Sequence, residues 1–330
     1  MKKIAITGGT GLIGNTLCRY LLKEGHQLKV LVRYTDGKSL YDLDIQRITG
    51  DLFIAETLDE LVRDCDIVVH LAGKVSIYPS ERDEIFLTNI DGVKNIIDAC
   101  KRNNIKNLIH FSSIHAHKGY GPDVPIDEQT PYSDDEFSPY DFSKAQGEQM
   151  VINARTDDFS TVIVNPTGVI GPQDFQPSYT GKLLVDIFSG KMNSLVSGGF
   201  NWVDSRDLAI AVGAIIKKDI KNEQFILSGN WVSFKQLANQ VCKAKGKKYR
   251  GFISPLFLAY FGLPFITAIS KMTHKLPLYT TESLKAIKEG SKHVDCSHAK
   301  ELLDYSPRPF EETIDDSVNW LIQYFDLDHG

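Results

Sequence analysis

The chain lacks most of the features that would send a protein out of the cell, into a bilayer or onto a nucleic acid. Its five cysteines, Cys18, Cys65, Cys100, Cys242 and Cys296, are odd in number and far apart, so they form neither a disulfide framework nor the paired spacing of a zinc site. They are expected to be reduced and mostly buried. A formal charge of -5 and a pI near 6.0 argue against a nucleic-acid partner, and none is expected. The most apolar stretch, 252–269, falls short of the roughly twenty residues of a transmembrane span and contains Pro255 and Pro264. It is expected to form a buried or cleft-lining helix pair, with peripheral membrane contact as the alternative. A leader peptide has no room, because a glycine motif begins within a few residues of Met1, and the expected location is cytoplasmic. No internal repeat or low-complexity segment interrupts the 330 residues, 42% of them hydrophobic, enough for one large domain or two moderate ones.

What is present begins with glycine. Residues 3–14, KIAITGGTGLIG, run from an apolar segment into Gly8, Gly11 and Gly14. Ile4, Ala5 and Ile6 read as a short buried strand, and Leu12, Ile13, Leu17, Tyr20, Leu21 and Leu22 as the apolar face of the helix after it. The glycines therefore fall at a strand-to-helix turn. A ligand phosphate can approach bare backbone there, and the free N–H groups of the first helical turn attract it. At the head of a βαβ pattern this is a dinucleotide signal, with Gly8, Gly11, Leu12, Ile13 and Gly14 at the pyrophosphate.

Apolar strands then alternate with helical patterns. Strands are predicted over 28–33, 45–49, 66–71, 108–111 and 161–165, with helices around Leu58 to Val62, over 84–102 and over 139–153. The alternation implies an α/β fold, a doubly wound parallel sheet with helices on both faces, and ligands beyond the carboxyl ends of its strands. Past residue 168 the regularity gives way to Gly/Pro-rich loops, which predicts a smaller, irregular C-terminal substrate lobe. A helix over 205–217 and a strand over 224–228 should return to the sheet. The dinucleotide-binding domain would then take 1–168 plus about 200–228, and the substrate lobe about 169–199 and 229–330.

Tyr140 and Lys144 are four residues apart in a helical segment, about one turn, and share a face. A phenol with a pKa of ~10 is a poor base at neutral pH, but a nearby ammonium and a nicotinamide's positive charge favour the phenolate and lower it. Such a pair exchanges a proton with a carbonyl or alcohol oxygen while a nicotinamide moves the hydride. Ser112 and Ser113 end the fifth strand, where a hydroxyl can hydrogen-bond the reacting oxygen. Each motif is weak alone; their order in one chain is specific.

In that order the chain resembles the extended short-chain dehydrogenase/reductase family. TGGTGLIG (7–14), GDL (50–52), HLAG (70–73), Asn89 within LTNIDGVKNI, FSS (111–113), YDFSK (140–144) and NPTGVIGP (165–172) carry the likeness, which spans residues 1 to about 230. The resemblance implies a Rossmann-type domain with Ser113, Tyr140 and Lys144 as the catalytic residues, Tyr140 being the acid/base. It would place Asp51 and Leu52 at the adenine, and Leu71, Ala72 and Gly73 near the nicotinamide. Asn89 joins the cofactor set, and Pro166, Thr167, Gly168 and Val169 lie beside the nicotinamide ribose and amide. Family habit implies a homodimer built on two helices per subunit. The spacing to Gly119 is one residue long, which keeps Ser112 open as the inward-facing hydroxyl.

Departures from the family pattern narrow the branch. NAD-binding members carry an Asp or Glu at the end of the second strand to hold the ribose 2′-OH; Val32 stands there, followed by Arg33 and, in the loop, Lys38. A guanidinium beside the ribose welcomes a 2′-phosphate, so NADP(H) is expected over NAD(H), with NAD as the second choice. Dehydratases carry an Asp-Glu pair where Ile114-His115 stands, and sugar-nucleotide epimerases an arginine where Phe200 stands. FSSI, NPTGVIGP and Gln176 to Ser178 look more like dihydroflavonol reductases and 3β-hydroxysteroid dehydrogenases. The expected activity is NADP(H)-dependent reduction of a ketone or aldehyde, or oxidation of the alcohol, on a small, fairly apolar substrate. An NAD-retaining nucleotide-sugar epimerase and a non-catalytic dinucleotide sensor are the alternatives. Phe175, Tyr179, Trp202, Leu256, Phe257, Tyr260, Phe261 and Phe265 would line an apolar pocket or belong to the core. His115 and His117 have no carboxylate at ligand spacing, and no metal is expected.

Overall fold

A computed structural model describes residues 1–33, 38–273 and 279–327. The first half of the chain runs β1 (Lys3–Thr7), α1 (Leu12–Lys23), β2 (Gln27–Val32), β3 (Gln46–Thr49), α2 (Ala55–Val62), β4 (Ile67–His70), α3 (Arg82–Phe86), α4 (Gly92–Arg102), β5 (Asn107–Phe111), α5 (Pro139–Asn153) and β6 (Ser160–Pro166). It continues with β7 (Gly168–Ile170), α6 (Tyr179–Phe188), β8 (Ser194–Val196), β9 (Gly199–Asp204), α7 (Ser205–Lys217), β10 (Gln224–Leu227), β11 (Asn230–Ser233) and α8 (Phe234–Lys243). Last come β12 (Phe252–Ser254), α9 (Leu256–Thr273), α10 (Thr281–Glu289), α11 (Ser297–Leu303) and α12 (Phe310–Phe325).

Seven parallel strands form the central sheet in the order β10-β6-β5-β4-β1-β2-β3. Both faces are covered, which is why its strands read as continuous apolar runs. Ile4 and Ile6, Val30 and Val32, and Val162 and Val164 face a core closed by Leu17 and Leu21 of α1, Leu208 and Val212 of α7 and Ala299 of α11. Ala5, Leu31 and Ile163 point the other way, onto Leu58 and Leu61 of α2, Val93 and Ile96 of α4 and Val151 of α5. Each fully buried aliphatic side chain contributes about 1.5–3 kcal/mol, so a register slip of one residue would exchange the two cores and is strongly disfavoured. The register pairs Thr7 with His70, His70 with His110 and Phe111 with Val164. Four strand ends thereby meet along one edge.

The smaller lobe is built on the sheet β11-β9-β7 and the parallel pair β12-β8. Its core joins Leu184 of α6, Trp202 of β9, Leu237 of α8 and Val318 of α12. The segment 199–204, placed by sequence with the dinucleotide domain, pairs within this smaller sheet. Cys296, Ala299, Leu303 and Tyr305, placed with the lobe, pack into the main core.

Two expectations are corrected. The helix over 84–102 is not regular, because Leu87–Asp91 is a π-helical stretch between α3 and α4. There the backbone of Asn89 lies against α5 so closely that a Cβ on Gly147 would stand 2.6 Å from the Asn89 carbonyl oxygen. The stretch 252–269 is not a buried helix pair. It forms β12 and one helix, α9, and among the described residues α10, with Val196 of β8 and Tyr279, covers one of its faces. The cysteines are all free, and four of the five are buried.

Candidate active site

Gly8 directly follows β1. Its φ of +75° suits glycine, and a Cβ there would lie 2.6 Å from the Ala72 amide nitrogen in the loop after β4. A Cβ on Gly14 would run into the Gly8 carbonyl oxygen, so the bare Gly14 lets the first turn of α1 close onto the loop. A Cβ on Gly11 would make only an ordinary contact, 3.6 Å from the Gly8 carbonyl oxygen, and Gly11 begins α1 with no side-chain cap. The first-turn amides of Leu12, Ile13 and Gly14 are therefore presented to an anion.

The start of α5 is set by Ser138, whose side chain accepts from the Asp141 amide, and by Pro139 at the first helical position. This presents Tyr140 and Lys144 on successive turns. The Tyr140 phenol lies beside the Ser113 hydroxyl, which acts to hold the phenol down, and Ser113 accepts from the His115 amide at 3.2 Å. Ser112 donates its amide to the Val164 carbonyl oxygen, and its hydroxyl is buried without a partner. The fold thus brings Ser113, not Ser112, to Tyr140. Lys144 is buried, donates to the Phe111 carbonyl oxygen at 3.0 Å, and lies 3.6 Å from where a Cβ on Gly73 would stand. Asn89 holds the neighbouring loop, accepting from the Lys74 amide at 2.8 Å and donating to the Lys74 carbonyl oxygen and the Ser143 hydroxyl. The Leu71 and Ala72 amides donate in turn to the Thr7 carbonyl and hydroxyl oxygens.

Burial acts on both members of the Tyr140–Lys144 pair. The protein packed around Tyr140 pushes its phenol up to about 12; the Ser113 hydroxyl works against this and the Asp141 carboxylate adds to it. Burial acts on the Lys144 ammonium too and pushes it down to about 8, opposed by Glu148. Glu148, one turn beyond Lys144, is fully buried and accepts from Asn165 at 2.6 Å and Gln224 at 2.7 Å. Sequence reasoning missed it, although an acid four residues past the lysine on the same helical face was the available signal. It also missed Asp141, whose Oδ1 lies 3.1 Å from His115 Nδ1. Enclosure works against a charge on His115, but the Asp141 carboxylate prevails and holds the imidazole above its usual range. The ring meets Tyr140 edge-on, centroids 5.9 Å apart. His117 is buried between the Thr130 carbonyl oxygen and Gln224, a packing role. Among the described residues no three His, Cys, Asp or Glu side chains converge in a way that could hold a metal ion.

The remaining predicted residues follow the ends of β2, β3 and β6. Beyond β6, the Thr167 hydroxyl is buried with no partner, an orphan that an incoming amide would satisfy. Pro166 ends β6, while Gly168 and Val169 belong to β7 and pair with Trp202 and Val203. Asp51 accepts from the Phe53 amide at 3.2 Å, and Leu52 is buried beside Gly92. Val32 is buried, and Arg33 is exposed immediately past the end of β2. Lys38 begins a short 3-10 turn, and its side chain lies outside the described residues.

A cleft of about 900 Å³ opens along Tyr120, Phe137, Trp231, Leu256, Lys288 and Gly290. Of the eight apolar residues expected at a pocket, only Leu256 lines it. Trp202 is core, Phe175 packs edge-on against Trp320 and Tyr324, and Phe257, Phe261 and Phe265 are exposed, because one helix face found no neighbour. Phe200 is held edge-on by Trp202 and Phe234.

A family model described as the NAD dependent epimerase/dehydratase family matches residues 4–227. The chain is 27% identical over 321 residues to sterol demethylase protein B of Methylococcus capsulatus, across 96% of this chain and 97% of that one. It is 30% identical over 263 residues to 2-alkyl-3-oxoalkanoate reductase of Stenotrophomonas maltophilia, across 74% and 76%. The crystal structure of gox2253 superposes with a TM-score of 0.85 at 27% identity over 99% of both chains.

Proposed function

This chain belongs to the NAD dependent epimerase/dehydratase family, among the extended short-chain dehydrogenases/reductases, and from that premise we propose that it is an NADP(H)-dependent reductase of a fairly apolar ketone or aldehyde. The observation that carries the reading is the placement of Tyr140 beside Ser113 and one turn before the buried Lys144, with the phenol held at about 12. A phenol in that range stays protonated at neutral pH, yet is a far stronger acid than the alcohol that forms when the alkoxide takes its proton. It therefore suits donation to a carbonyl oxygen that becomes an alkoxide. Ser113 would hydrogen-bond the same oxygen and stabilise its growing charge. Lys144 would hold the ribose, and the uncapped start of α1 the pyrophosphate. When bound, the nicotinamide supplies or accepts the hydride.

Two further points support a reductase over an epimerase. The names of the relatives refer to a sterol and to a 2-alkyl-3-oxoalkanoate, both with apolar bodies. A sugar diphosphate needs concentrated positive charge, whereas Phe200 is locked among aromatics, and Arg206 and Arg308 are tied to Asp204, Asp207 and Asp316. On the cleft wall, Lys285 and Lys292 are engaged by the Glu136 carbonyl and the Asp123 carboxylate. Mass spectrometry of the co-purifying cofactor, followed by a panel of ketones and aldehydes with NADPH, tests the reading. Net NADPH consumption on an apolar carbonyl is expected. Retained NAD with no NADPH consumed on any carbonyl would overturn it in favour of epimerisation.

A further inference from the structure

The first turns of α9, residues 256–266, are apolar around the whole circumference, yet only part of it is covered. Ala259 is buried, and Leu256, Tyr260 and Leu263 are partly buried, against Leu284 and Ile287 of α10. On the opposite side Phe257, Phe261 and Phe265 follow at intervals of four, one stripe along the helix, and are 60%, 75% and 73% exposed. Phe252 of β12, 61% exposed, precedes it in the chain. Among the described residues nothing covers the stripe. A helix apolar all round is normally buried, and an apolar patch left in water marks a surface made for something else.

The charge around it identifies that partner. Residues 224–281 contain eight Lys and Arg and no Asp or Glu, in a chain whose net charge is -5. The rest of the chain is correspondingly acidic. Five of the eight cations fall in 243–250, and Lys243, Lys247, Lys248 and Arg250 are exposed just before Phe252 and α9. Cations beside exposed aromatics are the composition of a helix that lies in an anionic lipid interface. A second copy of the chain is disfavoured on this face, since it would set the two cationic segments against each other. No helix among the described residues is long and apolar enough to cross a membrane, and α9 carries Pro264 within it.

We propose that the Phe257, Phe261 and Phe265 stripe of α9 seats on the surface of an anionic lipid bilayer, drawn there by the cationic segment before it. The helix lies on the membrane rather than across it. Leu256, its first residue, lines the cleft, so the seated face adjoins the cleft wall.

Flotation of the full chain with vesicles tests this. The protein is expected to float with an equal mixture of phosphatidylcholine and phosphatidylglycerol, not with phosphatidylcholine alone, and to be released by salt. The triple substitution F257S, F261S and F265S should abolish flotation. K247Q, K248Q and R250Q together should weaken it roughly 100-fold at low salt, about fivefold per charge. Both variants should keep the parent's thermal melt, because all six residues are exposed. Failure to float with either vesicle would overturn the proposal, as would unchanged flotation of the serine variant. Loss of a sedimenting dimer in the serine variant, without vesicle binding by the parent, would assign the face to a second copy instead.

Discussion

The Lys144 ammonium donates a hydrogen bond to the Phe111 carbonyl oxygen at 3.0 Å, which ties the second turn of α5 to the end of β5. Tyr140, one turn earlier, is thereby set beside Ser113, two residues beyond Phe111. Burial holds Lys144 down at about 8 from 10.5. Its charge is complete only below that pH, so dinucleotide affinity should fall as pH rises through about 8. Fluorescence titrations of NADPH across this range would show it, and Lys144→Met should bind weakly at every pH. Stability should move the opposite way. Between about 8 and 10.5 the unfolded chain binds the extra proton, so stability rises with pH there, and urea melts of Lys144→Met should lose that rise.

Tyr140→Phe removes the acid and leaves the ring. Turnover should fall by ~10²-fold or more, the usual scale for general acid catalysis, while NADPH affinity changes little. Steady-state rates beside a binding titration separate the two. Full activity in this variant would refute the role given to Tyr140.

Arg33 stands exposed just past the end of β2. A guanidinium on a 2′-phosphate makes charge-assisted bonds of about 1.5–3 kcal/mol. Arg33→Ser should therefore weaken NADPH by roughly 10- to 100-fold and leave NADH nearly unchanged. Parallel titrations with the two cofactors decide it, and equal losses would remove Arg33 from the phosphate site.

Glu148 is the buried carboxylate that supports the charge on Lys144. Glu148→Gln keeps the shape but leaves one acceptor oxygen where Asn165 and Gln224 each donate to a separate one, and it takes the negative charge away. The Lys144 ammonium should then lose its proton at still lower pH. The alkaline fall in NADPH affinity should shift below that of the parent. A cost of about 1–3 kcal/mol in urea unfolding is also expected.

Much of the site was legible because its parts are local. A glycine turn between a strand and a helix is written in a dozen consecutive residues, and the four-residue step from Tyr140 to Lys144 needs only the helical period. Boundaries followed for the same reason: α5 and α7 begin and end where the sequence pattern places them, at Pro139–Asn153 and Ser205–Lys217. What was not legible depends on distant partners. Nothing near Ser112 and Ser113 in the chain distinguishes them; the approach of α5 to β5 does. Asn89 reaches α5 through a π-helical turn whose five residues look like ordinary helix.

By itself, then, the amino-acid order determined the alternating α/β fold, the phosphate turn and the Tyr-x-x-x-Lys pair, since each is a matter of backbone period and local steric freedom. Tertiary structure alone decided that Ser113 meets Tyr140 and that Glu148 is buried with Asn165 and Gln224. It also decided that one face of α9 has no neighbour among the described residues. These are packing outcomes, set by which surfaces remain once both faces of the sheet have been covered, and a run such as LFLAYFGLPF reads the same whether or not a neighbour lies against it.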